Sequence, residues 1–128
     1  MEDKKVIWIT GASTGIGKAL ALKFAKNDWI VAASARRENL LNELNKENGN
    51  IHPFPLDVTN TDQCKTVFKN ILEKFKNIEI CVFSTGIHDP KSEKKFNLEK
   101  IRKIMEVNYF GVMNSINSIY EYYNTKKC

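Results

Sequence analysis

The sequence predicts a doubly wound α/β fold, about four parallel strands in the order 3-2-1-4 with helices on both faces. Three observations predict it. A short apolar run, Val6 to Ile9, passes through a glycine-bearing turn straight into an amphipathic stretch. Short apolar runs then alternate with helical periodicity along all 128 residues. Finally, the third run carries Pro53 and Pro55, which cannot donate to a ladder and so imply an edge strand. In the predicted order strand three is indeed the outer one.

The first turn is the most informative stretch. Glycines stand at 11, 15 and 17, and Ile16, Leu20 and Phe24 mark one face of the helix that follows. Without Cβ atoms such a turn folds tightly and lets a phosphate approach the backbone. The helix start adds N–H groups without intrahelical partners and a positive dipole end. The reading is a pyrophosphate cradle that opens a dinucleotide-binding βαβ unit. A tight turn that binds nothing is the plain alternative. A phosphate-cleaving P-loop fits poorly: with Gly17-Lys18 it needs Gly in place of Ala12 and Ser or Thr in place of Ala19.

Composition narrows the class. The length suits one domain spanning residues 1–128, and 42% apolar residues with 10% aromatics argue for a packed core. The net charge is +5, from 20 Lys+Arg against 15 Asp+Glu. The lysines are interspersed with acids and form no basic block, so nucleic acid is not the expected partner. A small anionic ligand is. Cys64, Cys81 and Cys128 are odd in number without a C-x-x-C spacing, and His52 and His88 stand apart from them. Neither a disulfide framework nor a metal site is expected. With no signal-like or membrane-length apolar segment, the expected location is the cytoplasm, away from membranes.

The second strand, Trp29 to Ser34, ends without an acidic residue. NAD-binding units place a carboxylate on the ribose 2′-hydroxyl about 20 residues past the glycines. Here Ser34 and Ala35 occupy the strand end, and Arg36 falls 19 residues past Gly17, followed by Arg37. A guanidinium at this place can hold a 2′-phosphate through charge-assisted bonds. NADP is therefore favoured over NAD, with Arg36 as the main contact and Arg37 and Ser13 as helpers. Two solvated arginines at a helix start are the bland alternative.

The remaining elements follow in order. Leu40, Leu41 and Leu44 share a helix face that ends at Asn48-Gly49. Ile51 to Leu56 is the third strand. Thr59 or Asn60 caps a helix whose apolar face is Cys64, Val67, Phe68, Ile71, Leu72 and Phe75, which makes Cys64 a packing residue. Ile78 to Phe83 is the fourth strand, and Ile87 to Lys95 reads as an exposed polar loop. Asn97 caps a long last helix whose apolar residues spread so widely that it needs burial against more than a sheet.

The segment Thr10-Gly11-Ala12-Ser13-Thr14-Gly15-Ile16-Gly17 resembles the short-chain dehydrogenase/reductase family, in its compact-subunit group. Extended-subunit relatives usually carry glycine where Thr14 stands. The resemblance implies a Rossmann-like fold in which Gly11, Ser13, Thr14, Gly15, Ile16 and Gly17 meet NADP(H). It implies that Asp57, followed by Val58, touches the adenine amino group; the rival role for Asp57 is to turn the chain. The family's Asn-Asn-Ala-Gly stretch is reduced here to Phe83-Ser84-Thr85-Gly86, with only Gly86 retained to pass near the ribose and nicotinamide. Met105-Glu106-Val107-Asn108-Tyr109-Phe110-Gly111 resembles the family's Val-Asn-x-x-Gly segment, in which the Asn bends the helix and holds a water of the proton relay. Asn108 matches it; a locally bonded, helix-bending Asn is the structural alternative.

The family's carbonyl reduction also uses a Ser and a Tyr-x-x-x-Lys as general acid and electrostatic support. Tyr122 with Lys126 and Tyr123 with Lys127 have the spacing, but they lie on the tail of the Asn108 helix without the strand that should precede them. The resemblance thus covers the first half of the family's subunit, as a truncated frame, a fragment or a split protein would. The expectation is an NADP(H)-binding portion of an oxidoreductase that catalyses nothing alone. A non-catalytic nucleotide-binding or interaction module is the second reading, and another Rossmann-type enzyme such as a methyltransferase the third. An open edge at strand four and an apolar last helix predict self-association or a covering partner.

Overall fold

The computed structural model describes residues 4–87 and 95–126. Expectations about His88 and most of its loop, and about Lys127 and Cys128, fall outside these residues. Four strands, β1 (Val6–Thr10), β2 (Ile30–Ser34), β3 (Ile51–Pro53) and β4 (Ile80–Phe83), form one parallel sheet in the order β3-β2-β1-β4. Ile7 sits opposite Val31 on one side and Ile80 on the other. Parallel strands need long crossovers, and the helices α1 (Gly15–Lys26), α2 (Glu38–Glu47) and α3 (Thr61–Phe75) supply them.

β1 is the spine of the sheet. Side chains alternate across a strand, so Val6 and Trp8 enter one core while Ile7 and Ile9 enter the other. Both faces are covered, which is why the run is continuously apolar rather than alternating. Fully burying one large apolar side chain is worth about 1.5–3 kcal/mol. Four of them on β1 therefore rival the net stability of a whole domain, roughly 5–15 kcal/mol. Trp8 lies between Phe68 and Phe83, with ring centroids 5.8 and 5.9 Å away. Its indole N–H donates to Ser34 Oγ at 2.9 Å, so no polar atom of the ring is stranded.

The helix α1 departs from its expected face. The residues pressed on the sheet are Gly17, Ala21 and Ala25, spaced four apart. Ile16 is 76% exposed, and Leu20 and Phe24 pack only at the flank of that core. Small side chains let the helix lie close to β1 and β2, a contact that large-residue periodicity does not register. In α2, Leu41 and Leu44 are buried as expected. Its end is not made by a left-handed glycine: Asn48 is extended, and its side chain accepts from the Asn50 amide at 2.9 Å.

β3 is shorter than the run Ile51 to Leu56, yet the chain stays beside β2. Phe54 and Leu56 donate to the Ala33 and Ala35 carbonyls at 2.8 and 3.0 Å, while Pro55, without an N–H, stands between them. The α3 start is capped by Asn60, not Thr59, through the Gln63 amide at 2.9 Å. Its buried face is Cys64, Val67, Phe68 and Ile71.

The last helical run is not one uniform helix. It consists of α4 (Leu98–Met105), a π turn (Glu106–Phe110) and α5 (Gly111–Thr125), and Asn97 caps its start. The α5 helix packs on α3 and buries Gly111 and Ser115. On the other side Leu98, Ile101, Met105, Tyr109, Met113, Ile116 and Tyr120 recur every three or four residues, each at least 38% exposed. Among the described residues β4 has no strand on its outer edge, and Ile80 is 37% exposed. Among the described residues no helix is long and apolar enough to cross a membrane.

Candidate functional site

The strand ends β1, β2 and β4 converge on one cavity of about 440 Å³. It lies where the strand order reverses between β1 and β4, outside the carboxyl ends of the strands, the usual ligand crevice of open α/β sheets. Its size is within the range of small-molecule sites.

The floor is the turn from β1 to α1. Gly11 has φ +69 and Gly15 φ +57, a backbone region that side chains other than glycine rarely adopt. Space is also decisive at Gly11, where a Cβ would stand 2.7 Å from the Thr85 amide nitrogen. At Gly15 a Cβ would meet nothing, because the residue faces open space. Ser13, Thr14, Gly15 and Ile16 line the cavity. The N-cap Thr14 makes no side-chain cap bond to α1, and no acid lies in the first turn. The N-cap Arg37 of α2, also on the cavity wall, likewise makes none. By contrast α3 and α4, which start away from the cavity, are capped by Asn60 and Asn97. The α1 N-terminus thus presents its positive dipole end to the cavity with neither a capping side chain nor a first-turn acid, whereas the uncapped start of α2 carries Glu38 in its first turn.

Gly17 does not line the cavity. It is buried behind it, and a Cβ there would stand 2.1 Å from the Gly11 carbonyl oxygen and 2.5 Å from Ser84 Oγ. Its place is the contact that lets α1 start against β1. Ser84, which stands where the Asn of the resembled family does, donates to the Thr10 carbonyl at 2.7 Å through Oγ. The hydroxyl thus ties the β4 turn to the β1 turn. Thr85 lines the cavity too, and its buried Oγ1 has no hydrogen-bond partner among the described residues.

The walls gather the other expected residues. Arg36 and Arg37 are exposed on the β2 side, next to Ser34 and Ala35. Asp57 and Val58 follow β3, and Gly86 follows β4. The Asp57 carboxylate accepts from the Thr59 hydroxyl at 2.7 Å and the Thr59 amide at 3.0 Å, so it does turn the chain. The Thr59 hydroxyl lowers its pKa below the ordinary value; burial opposes this, and the Thr59 amide and the Arg36 charge add to it. Asp57 is thus an anionic wall residue at neutral pH. Leu56 and Ile87 also line the cavity and carry no motif that would have marked them, and Val107, the residue before Asn108 in the Val-Asn-x-x-Gly segment, lines it too.

Asn108 stands one step back. Its side chain accepts from the Ile87 amide at 2.6 Å and donates to the Ile87 carbonyl at 2.8 Å. It lies in the π turn, so the expected helix irregularity is present and takes the form of a widened turn. Tyr122 and Lys126 are elsewhere. The Tyr122 hydroxyl donates to Asn77 Oδ1 at 2.5 Å, Lys126 Nζ donates to the same oxygen, and Tyr123 donates to the Ile78 carbonyl at 2.7 Å. All three therefore sit at the start of β4, the end of the sheet opposite the cavity. Burial also raises the Tyr123 hydroxyl well above the ordinary phenol range.

The family model described as short chain dehydrogenase matches residues 5–127. The chain belongs to that family. Short-chain dehydrogenases are oxidoreductases that use nicotinamide cofactors and share this Rossmann-like fold. The chain is 34% identical to the human dehydrogenase/reductase SDR family member 7 over 117 residues, 85% of this chain and 34% of that protein. It is 33% identical to the 3-oxoacyl-[acyl-carrier-protein] reductase FabG of Thermotoga maritima, covering 94% of this chain and 50% of that one. The solved structure of ElxO with NADP bound is 28% identical and superposes with a TM-score of 0.86, over 98% of this chain and 52% of that one. The chain thus spans about a third to a half of the length of these relatives.

Two glycine substitutions separate packing from ligand contact. Gly17→Ala is expected to lower the urea midpoint by an amount worth about 1–3 kcal/mol or more, as overpacking against rigid backbone does. Gly15→Ala meets open space, so it is expected to cost only the left-handed strain, about 1–2 kcal/mol. A Gly17→Ala chain as stable as the parent would contradict the packing assigned to this turn.

Proposed function

We propose that this chain is the NADP(H)-binding portion of a short-chain oxidoreductase. The observation that carries the reading is the pairing of two features on one cavity. The uncapped glycine turn is there, and Arg36 and Arg37 flank a β2 end that offers Ser34 and Ala35 but no carboxylate. The turn residues Gly11, Ser13, Thr14, Gly15 and Ile16 would hold the pyrophosphate, with Gly17 setting their position from behind. Arg36 would grip the 2′-phosphate with help from Arg37 and Ser13, and Asp57 with Val58 would meet the adenine. Gly86 would lie along the ribose and nicotinamide. Likeness to ElxO, solved with NADP bound, supports the cofactor choice.

NADPH, when bound, supplies hydride for carbonyl reduction, or as NADP takes it in alcohol oxidation. Asn108 would hold the Ile87 backbone in place beside the reacting end, at the family's relay position. Among the described residues no tyrosine or lysine lines the cavity, so the proton donor is assigned to none of them. This chain by itself is expected to bind cofactor without turnover.

A titration of NADPH against NADH tests the reading. The chain should prefer NADPH, and Arg36→Ala should weaken NADPH roughly 10- to 100-fold, the loss of one charge-assisted phosphate contact, with little effect on NADH. Equal losses for both cofactors, or tighter NADH binding by the parent chain, would overturn the choice of NADP.

The interaction reading has its own support. The open β4 edge and the apolar stripe on α4 and α5 together form a surface of the kind that draws a partner or a second copy. Sedimentation is expected to show concentration-dependent association, and an apolar dye to bind. A monodisperse monomer that binds no dye would remove this part of the proposal.

A further inference from the structure

The π turn and α5 touch two walls of the cavity at once. Val107 lines the cavity, and Asn108 pins Ile87 through two hydrogen bonds. One turn later Gly111 is buried against Val58, where a Cβ would stand 2.6 Å from Val58 Cγ2. One turn further, Asn114 Nδ2 donates to the Val58 carbonyl at 2.9 Å. Asn114 Oδ1 in turn accepts from Thr61 Oγ1 at 3.2 Å, which fixes which end of the amide faces Val58. The other donor near that carbonyl is the Cys64 thiol, at 3.7 Å and weak. Ser115 bonds back to the Gly111 carbonyl at 2.8 Å.

We propose that Asn114 is a positioning residue for the adenosine side of the cavity. It holds the Val58 carbonyl, and so the Asp57–Val58 wall, as Asn108 holds Ile87 on the other side. One helical run thereby sets the separation of the two walls. The inference rests on the nucleotide reading above. It goes beyond it by giving a role to a residue that touches no part of the cofactor and lines no part of the cavity.

The consequence is a side-specific effect on ligand binding. Adenosine 2′,5′-bisphosphate reports the adenosine side alone, and NADPH reports both. Asn114→Ala is expected to weaken the two ligands by the same factor, about 3- to 10-fold, the net worth of one neutral hydrogen bond. Asn108→Ala is expected to weaken NADPH and leave the bisphosphate within about twofold. Thr61 is exposed at the start of α3, so Thr61→Val removes the bond that orients the Asn114 amide with little risk to the fold. It should reproduce the Asn114→Ala pattern at smaller size, and Thr61→Ser, which keeps the hydroxyl, should restore the parent affinity. The inference is overturned if Thr61→Val and a folded Asn114→Ala leave both affinities unchanged. It is overturned equally if Asn108→Ala and Asn114→Ala affect the two ligands alike. A parent chain that binds neither ligand removes the nucleotide reading itself and the positioning role with it.

Discussion

Backbone touches backbone at the head of this sheet. The Gly11 carbonyl occupies the place of a Cβ on Gly17, and the Thr85 amide occupies the place of a Cβ on Gly11. Three segments, the end of β1, the start of α1 and the turn after β4, are thereby held within contact distance. The Ser84 hydroxyl fastens the same junction by donating to the Thr10 carbonyl. The cavity exists because these segments meet there and leave the first turn of α1 uncapped on the open side.

This constraint explains what was legible in the residues and what was not. The glycine turn, the missing acid after β2 and the proline-marked edge each depend on local backbone chemistry, so they could be read directly. The buried face of α1 could not, because a Gly-Ala-Ala stripe carries no hydrophobic amplitude; larger neighbours at Ile16, Leu20 and Phe24 drew attention to the wrong side. Gly17 looked like a phosphate contact because spacing shows only that glycine is required, not which neighbour requires it. The π turn was hidden for a similar reason. An extra residue in one helical turn leaves a run of apolar residues that still looks helical.

The site has an electrostatic logic that matches its geometry. Cationic Arg36 and Arg37 and two uncapped helix starts face one crevice, while Asp57, the one carboxylate among the described lining residues, is occupied by Thr59. A bare anion-seeking floor with one engaged acid suits a ligand that is anionic at one end and aromatic at the other. The opposite end of the sheet is chemically different. There Tyr122, Tyr123 and Lys126 bond to Asn77 and Ile78, tying the tail of α5 to the beginning of the edge strand β4. That arrangement is structural, and it places the tyrosine–lysine spacing where no ligand in the crevice can reach it.

Backbone amide shifts followed by NMR during titration of the isotopically labelled chain with NADPH would examine the junction directly. The largest changes are expected at the amides of Ser13, Thr14, Gly15 and Ile16, with Arg36 moving alongside and Tyr122 and Tyr123 unmoved. Changes centred on the start of β4, or a silent glycine turn while NADPH binds elsewhere, would contradict it.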